Sequence, residues 1–229
     1  PVDPFHLLVG LPILLGSMWL ALRGRLIGLL CWPGALLYVL YSYMLNLIGV
    51  PFGVLFLPYL LLVTLSAYTT IALAANIDGD AVRRRLVGRV PTGPAGGVLA
   101  GLSGLFIVLA IIDIISALLS QRAVSQLDTM LWIADLSTIG AASLVGGILL
   151  LRRSALGYTG GAGLLLAFSM LFIGLVPVLI FPALHDGSPI DVAGLVMMLA
   201  LGVICLIPFA LFARGIVRSG SSGSEGARS

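Results

Sequence analysis

Seven long apolar runs alternate with short polar gaps along this chain, at residues 5–22, 26–47, 54–75, 97–120, 130–151, 157–182 and 190–213. A helix that crosses a bilayer needs about 20 consecutive apolar residues. The pattern therefore predicts an all-α fold, a polytopic membrane bundle of seven transmembrane helices. The longest polar gap, 76–96, contains its own amphipathic signal. Asp78 is suited to cap a short helix over 78–89, whose Val82 and Leu86 share one face. Five runs contain proline, at Pro12, Pro33, Pro58, Pro177 and Pro208. Membrane helices tolerate these residues, and they also mark where a span would hinge or break around a substrate path.

Composition fixes the solvent. Of 229 residues, 60% are hydrophobic and 9% charged, against about 25% charged in a soluble domain. All twelve basic residues are arginine. Ten of them follow the first, third, fifth and seventh runs: Arg23 and Arg25; Arg83, Arg84, Arg85 and Arg89; Arg152 and Arg153; Arg214 and Arg218. Arg122 sits on the opposite side and Arg228 in the tail. By the positive-inside rule the N-terminus lies outside and the C-terminus in the cytoplasm. Residues 1–218 read as one transmembrane domain, and the Ser/Gly-rich stretch 219–229 as a disordered tail. The first run does not read as a removable signal peptide, because Arg23 and Arg25 follow it.

An offset of about 129 residues lays the chain on itself. Leu20-Ala21-Leu22-Arg23 meets Leu149-Leu150-Leu151-Arg152, Gly28 meets Gly157, and Gly34 meets Gly163. The same offset superposes runs one to three on runs five to seven. That predicts a parallel three-plus-one-plus-three arrangement, with halves 1–76 and 130–218 and a linker helix at 97–120. In topology alone this is similar to the SWEET sugar transporters and the nicotinamide riboside transporters. The SWEET-type Pro-Gln dipeptide occurs nowhere in the chain, so no transport residue carries over. Two stretches, Leu65-Ser66-Ala67-Tyr68 through Ile77-Asp78-Gly79-Asp80-Ala81-Val82 and Leu151-Arg152-Arg153 through Leu156-Gly157-Tyr158, resemble an uncharacterised family of prokaryotic multi-pass membrane proteins. That resemblance implies a place in the prokaryotic cell (inner) membrane and no particular activity.

Two acids lie inside apolar runs, Asp113 in the fourth and Asp135 in the fifth. Counting from the run ends puts both within about 10 Å of the outer boundary. A charged Asp in lipid costs about 2.5–3.5 kcal/mol. With no basic residue in either run at that depth, each needs a proton, a hydrogen bond, water or a cation, and Ser116 and Ser137 are the hydroxyls nearest in sequence. Both acids are candidates for substrate or ion binding. So are Tyr38, Tyr41 and Asn46 on the second run and Tyr68 on the third, which with Thr64, Ser66, Thr69 and Thr70 make the most polar helix pair. Arg83, Arg84, Arg85 and Arg89 are candidates for contact with anionic lipid head groups.

Several function classes drop out. Cys31 and Cys205 lie in apolar runs and suit packing. His6 and His185 are too few for the zinc set of a membrane ceramidase-type hydrolase. A covalent retinal needs a lysine, and there is none. No nucleophile-and-base set is present, so the expectation is no enzyme and no cofactor. Arginines confined to loops exclude nucleic acid as a partner. The expected partners are membrane lipids, other membrane subunits or a second copy of the chain. The leading reading is a small-molecule or ion transporter-like bundle. The alternatives are a non-enzymatic accessory subunit of a membrane complex and a lipid-binding membrane protein.

Overall fold

The computed structural model describes the backbone of residues 4–49, 52–186 and 191–225, with nine helices among them. These are α1 (Pro4–Leu22), α2 (Leu26–Gly49), α3 (Phe56–Asn76), α4 (Gly79–Leu86), α5 (Thr92–Ser120), α6 (Gln126–Ser137), α7 (Ile139–Leu151), α8 (Ala155–Asp186) and α9 (Val192–Glu225). Six of the resulting spans are long and apolar enough to cross a membrane, with α6 and α7 together forming one, and α1 adds a shorter apolar helix, Gly10–Leu22. The chain is a multi-pass helical membrane protein. Its flanks show why lipid must surround it. Leu57, Leu65 and Ile71 on α3, Ile112 and Leu119 on α5, and Val196 and Ile207 on α9 are all exposed, a surface that water would not tolerate.

The centre of the bundle is the crossing of α2 and α8. Around it, α1 and α3 pack on α2, α7 and α9 pack on α8, and α5 closes against α7. The crossing is tight because both helices lack a side chain there. A Cβ added to Gly34 would overlap the Gly163 carbonyl, and one added to Gly163 would meet the Leu30 carbonyl oxygen at 2.8 Å. Without a hydrophobic driving force between helices in lipid, such backbone contact supplies the dispersion and polar attraction that hold spans together. The α5–α7 seam works the same way. Gly96 and Ala100 lie against Gly147, and Ser103 and Ser143 are fully buried in their helices.

The 129-residue offset carries over to individual hydrogen bonds. At the end of α1, the Arg23, Gly24 and Arg25 amides donate to the Trp19, Ala21 and Leu20 carbonyls. At the end of α7, the Arg152, Arg153 and Ser154 amides donate to Ile148, Leu150 and Leu149. Each partner is 129 residues from its counterpart. Both turns close through a left-handed residue, Gly24 (φ 71°) and Arg153 (φ 55°), the common way to stop a helix. Gly28 packs on the Leu20–Ala21 backbone as Gly157 packs on Leu149–Leu150, and the corresponding Gly34 and Gly163 touch each other at the centre.

The amphipathic gap helix forms as α4. The Asp78 carboxylate accepts from the Ala81 amide at 3.0 Å, and Val82 and Leu86 are buried. Its apolar face docks on the start of α8, where Gly79 meets Ala155. Prolines leave the spans continuous. α1, α2 and α9 run through Pro12, Pro33 and Pro208, and Pro58 falls in the first turn of α3, where no backbone bond is lost. The only interruption inside a described span is elsewhere, at Thr138 (φ −123°, ψ −96°), between α6 and α7. α9 continues through residues 219–225 in place of the expected tail, and 226–229 lie outside the described residues.

Candidate functional site

The fifth span, Gln126–Leu151, breaks one turn after an acid. Ser137 and Thr138 cause the break between them. Their hydroxyls turn back to the Ile133 and Ala134 carbonyls, a habit of Ser and Thr in membrane helices that loosens the ladder. Gly140 completes it, because a Cβ there would overlap the Asp135 carbonyl oxygen. The last turn of α6 therefore ends with backbone and side chain both rearranged around Asp135.

Asp135 is partly buried, and it accepts a hydrogen bond from the Tyr41 hydroxyl at 2.7 Å. Tyr41 comes from α2 and is itself buried, so the bond ties the central helix to the broken one. α6 begins at Gln126, earlier than the apolar run, so Asp135 lies about 13 Å along its helix. Tyr38, one turn away on α2, is 1% exposed, is packed on Gly10 and interacts within the chain. Ser42, beside Tyr41, is buried with its hydroxyl unpartnered among the described residues. The sequence signal for the break was present in Ser137-Thr138-x-Gly140 but is silent to a hydropathy count.

The other acid has a different setting. Asp113 pairs with Arg122 at 3.1 Å, and the two side chains are 49% and 52% exposed. Gln121 makes this pairing possible. It takes a left-handed conformation (φ 50°) at the end of α5, and the Arg122 amide then donates back to Ala117. The chain reverses over its own last turns, and the guanidinium reaches an acid nine residues earlier. No basic residue lies in the span at that depth, as the sequence indicates; the partner is a loop residue folding back. Arg122, the one loop arginine outside the positive-inside pattern read from the sequence, is the residue in this pair. Ser137, proposed from sequence as a hydroxyl partner for the acids, donates to its own helix instead.

The two acids have separate partners. The groove between α5 and α6, about 400 Å³, is lined by Ile114, Thr129, Trp132, Ile133, Leu136 and Ser137 rather than by either acid. The polar residues of α2 and α3 also divide. The Asn46 amide donates to the Ser42 carbonyl, and the Thr70 hydroxyl to that of Ser66, each on its own helix. Tyr68 is 70% exposed on the outer side of α3. Tyr43 contacts the Tyr59 ring at 5.6 Å and joins α2 to α3. Of the six candidate residues, Tyr41 and Asp135 meet, and Tyr38 lies one helical turn from Tyr41. The side chains of His6 and His185 lie outside the described residues.

Among the described residues, no group of three His, Cys, Asp or Glu side chains could hold a metal. Arg83, Arg84 and Arg85 point away from the buried face of α4 and are exposed, and Arg89 lies beyond it in the turn to α5. No family model, no curated protein and no solved structure matches this chain.

Proposed function

We propose that the bundle is a small-molecule or ion transporter in which Asp135 is the coupling acid, binding a proton or a small monovalent cation. One observation carries the reading: a carboxylate inside a span, held by a neutral tyrosine hydroxyl, beside the one break in the described spans. An intramembrane acid is costly and is kept where it serves ion or proton movement. A broken helix exposes carbonyl oxygens that can ligate a cation, the arrangement transporters use at mid-membrane. The Tyr41 bond suits this role because it orients the carboxylate without neutralising it, leaving its charge for the ion.

The α2–α8 crossing supports the same reading. Two similarly built turns lead into it, and rocking of one repeat half against the other is a recognised basis for alternating access. The test is gradient-driven uptake. Proteoliposomes under an imposed proton or sodium gradient are screened with labelled sugars, amino acids and nucleosides. The expected result is uptake above protein-free vesicles that falls at least about tenfold in Asp135→Asn. Wild-type uptake indistinguishable from empty vesicles across the panel counts against transport and returns the accessory-subunit reading.

A further inference from the structure

At the end of the bundle opposite Asp135 a second feature stands apart from this reading. The turn between α4 and α5 lies against the end of α9, and between them opens a cleft of about 730 Å³. It is lined by Gly88, Arg89, Val90 and Pro91 from the turn and by Leu211, Arg214, Gly215 and Arg218 from α9. Two glycines build it. Gly88 takes a left-handed φ of 75° that swings the chain towards α9. Gly215 lets the turn come close, since a Cβ there would overlap the Arg89 carbonyl.

The lining is one-sided in charge. Three arginines contribute and no acid does. Arg214 and Arg218 are four residues apart on one helix face, and Arg89 faces them from the other wall. Arg89 and Arg218 also interact within the chain. A guanidinium has five N–H donors in a planar fork, more than a single contact uses. Leu211, one turn further into the membrane-spanning part of α9, is 44% exposed beside them. A basic wall at the membrane boundary with an apolar edge running into the span fits an anion that carries a hydrocarbon tail.

We infer that this cleft binds a phosphate group, the chemistry that a fork of arginines matches in both charge and geometry. The source is the head group of an anionic phospholipid or a soluble phosphate compound. Arg83, Arg84 and Arg85 do not line the cleft, although they carry the same charge on the neighbouring helix. The site is therefore distinct from a general attraction of basic loops to the surface.

The experiment uses that difference. The purified full-length protein in neutral detergent is titrated with phosphatidylglycerol and with phosphatidylcholine, and bound lipid is counted by native mass spectrometry. Three proteins are compared: wild type, the triple variant R89Q/R214Q/R218Q, and the charge-matched control R83Q/R84Q/R85Q. The expected outcome is wild-type preference for phosphatidylglycerol of at least about tenfold. The cleft variant loses it, and the control keeps it to within about threefold. A parallel titration with inorganic phosphate identifies the source. Displacement of the lipid at millimolar phosphate supports the site with a soluble ligand, and retention of the lipid supports the site with a lipid ligand. Equal losses in the two triple variants overturn the inference. So does a wild-type protein with no preference for the anionic lipid, a readout that needs no variant to fold.

Discussion

Asp113 and Asp135 are the two acids well inside the apolar runs, one residue type on consecutive spans, and the fold treats them in opposite ways. Asp113 sits seven residues from the end of an unbroken helix, half exposed, with an arginine folded back onto it. Asp135 sits beside a break, partly buried, with a tyrosine hydroxyl from the central helix. The first arrangement sets the acid against an opposite charge, and the second gives it a neutral hydroxyl donor. On the proposed reading, that difference separates an acid that is merely accommodated from one that exchanges an ion. Depth in sequence does not distinguish them; the partner does.

The comparison breaks first if Asp135 is dispensable. Asp135→Asn keeps shape and Tyr41 contact but removes the charge, and is expected to cut gradient-driven uptake at least about tenfold with little change in thermal stability in detergent. Next in size is Gly140→Ala. Its methyl group must displace the Asp135 carbonyl, and the expected cost is about 1–3 kcal/mol of stability, read by thermal unfolding, with several-fold slower uptake. Tyr41→Phe leaves the ring and removes the donor. A hydrogen bond to a charged group contributes about 1.5–3 kcal/mol, and losing its orienting effect is expected to weaken the apparent affinity for the driving ion several-fold while the maximal rate changes less. The smallest effect belongs to the other acid. Arg122→Gln or Asp113→Asn breaks a half-exposed pair that contributes about 0–1 kcal/mol, and uptake is expected to stay within about twofold of wild type. A large loss in either variant would remove the distinction between the two sites.

Much of the architecture was legible because membranes simplify the code. Seven runs of about 20 apolar residues can only be satisfied as helices, and most observed ends lie within a few residues of the runs, α9 excepted, which continues to Glu225. The Asp78 cap and the Val82–Leu86 face were readable because capping and i, i+4 spacing are local. The 129-residue register was readable at Arg23 and Arg152, and the hydrogen bonds of both turns follow it. The site was legible only in parts. Asp135 and Tyr41 stood out as polar residues in apolar runs, but their pairing spans 94 residues and depends on how α2 meets α6. The break is not legible in a hydropathy count, because 130–151 stays apolar on average despite Asp135, Ser137 and Thr138. Prolines read mainly as ordinary membrane-helix composition and only secondarily as breakers, and the interruption falls instead at Ser137, Thr138 and Gly140, through backbone hydrogen bonding and space. The charge rule placed Arg122 on the outer side and said nothing of its pairing with Asp113, since a residue nine positions away reaches back only when a left-handed turn reverses the chain.

The most direct measurement is uptake by Asp135→Asn and Asp113→Asn proteins reconstituted side by side at equal density under the same ion gradient. If Asp135 is the acid that the protein uses, the first variant falls to the level of empty vesicles while the second transports like wild type. Equal rates in the two variants, whether both active or both silent, would contradict it.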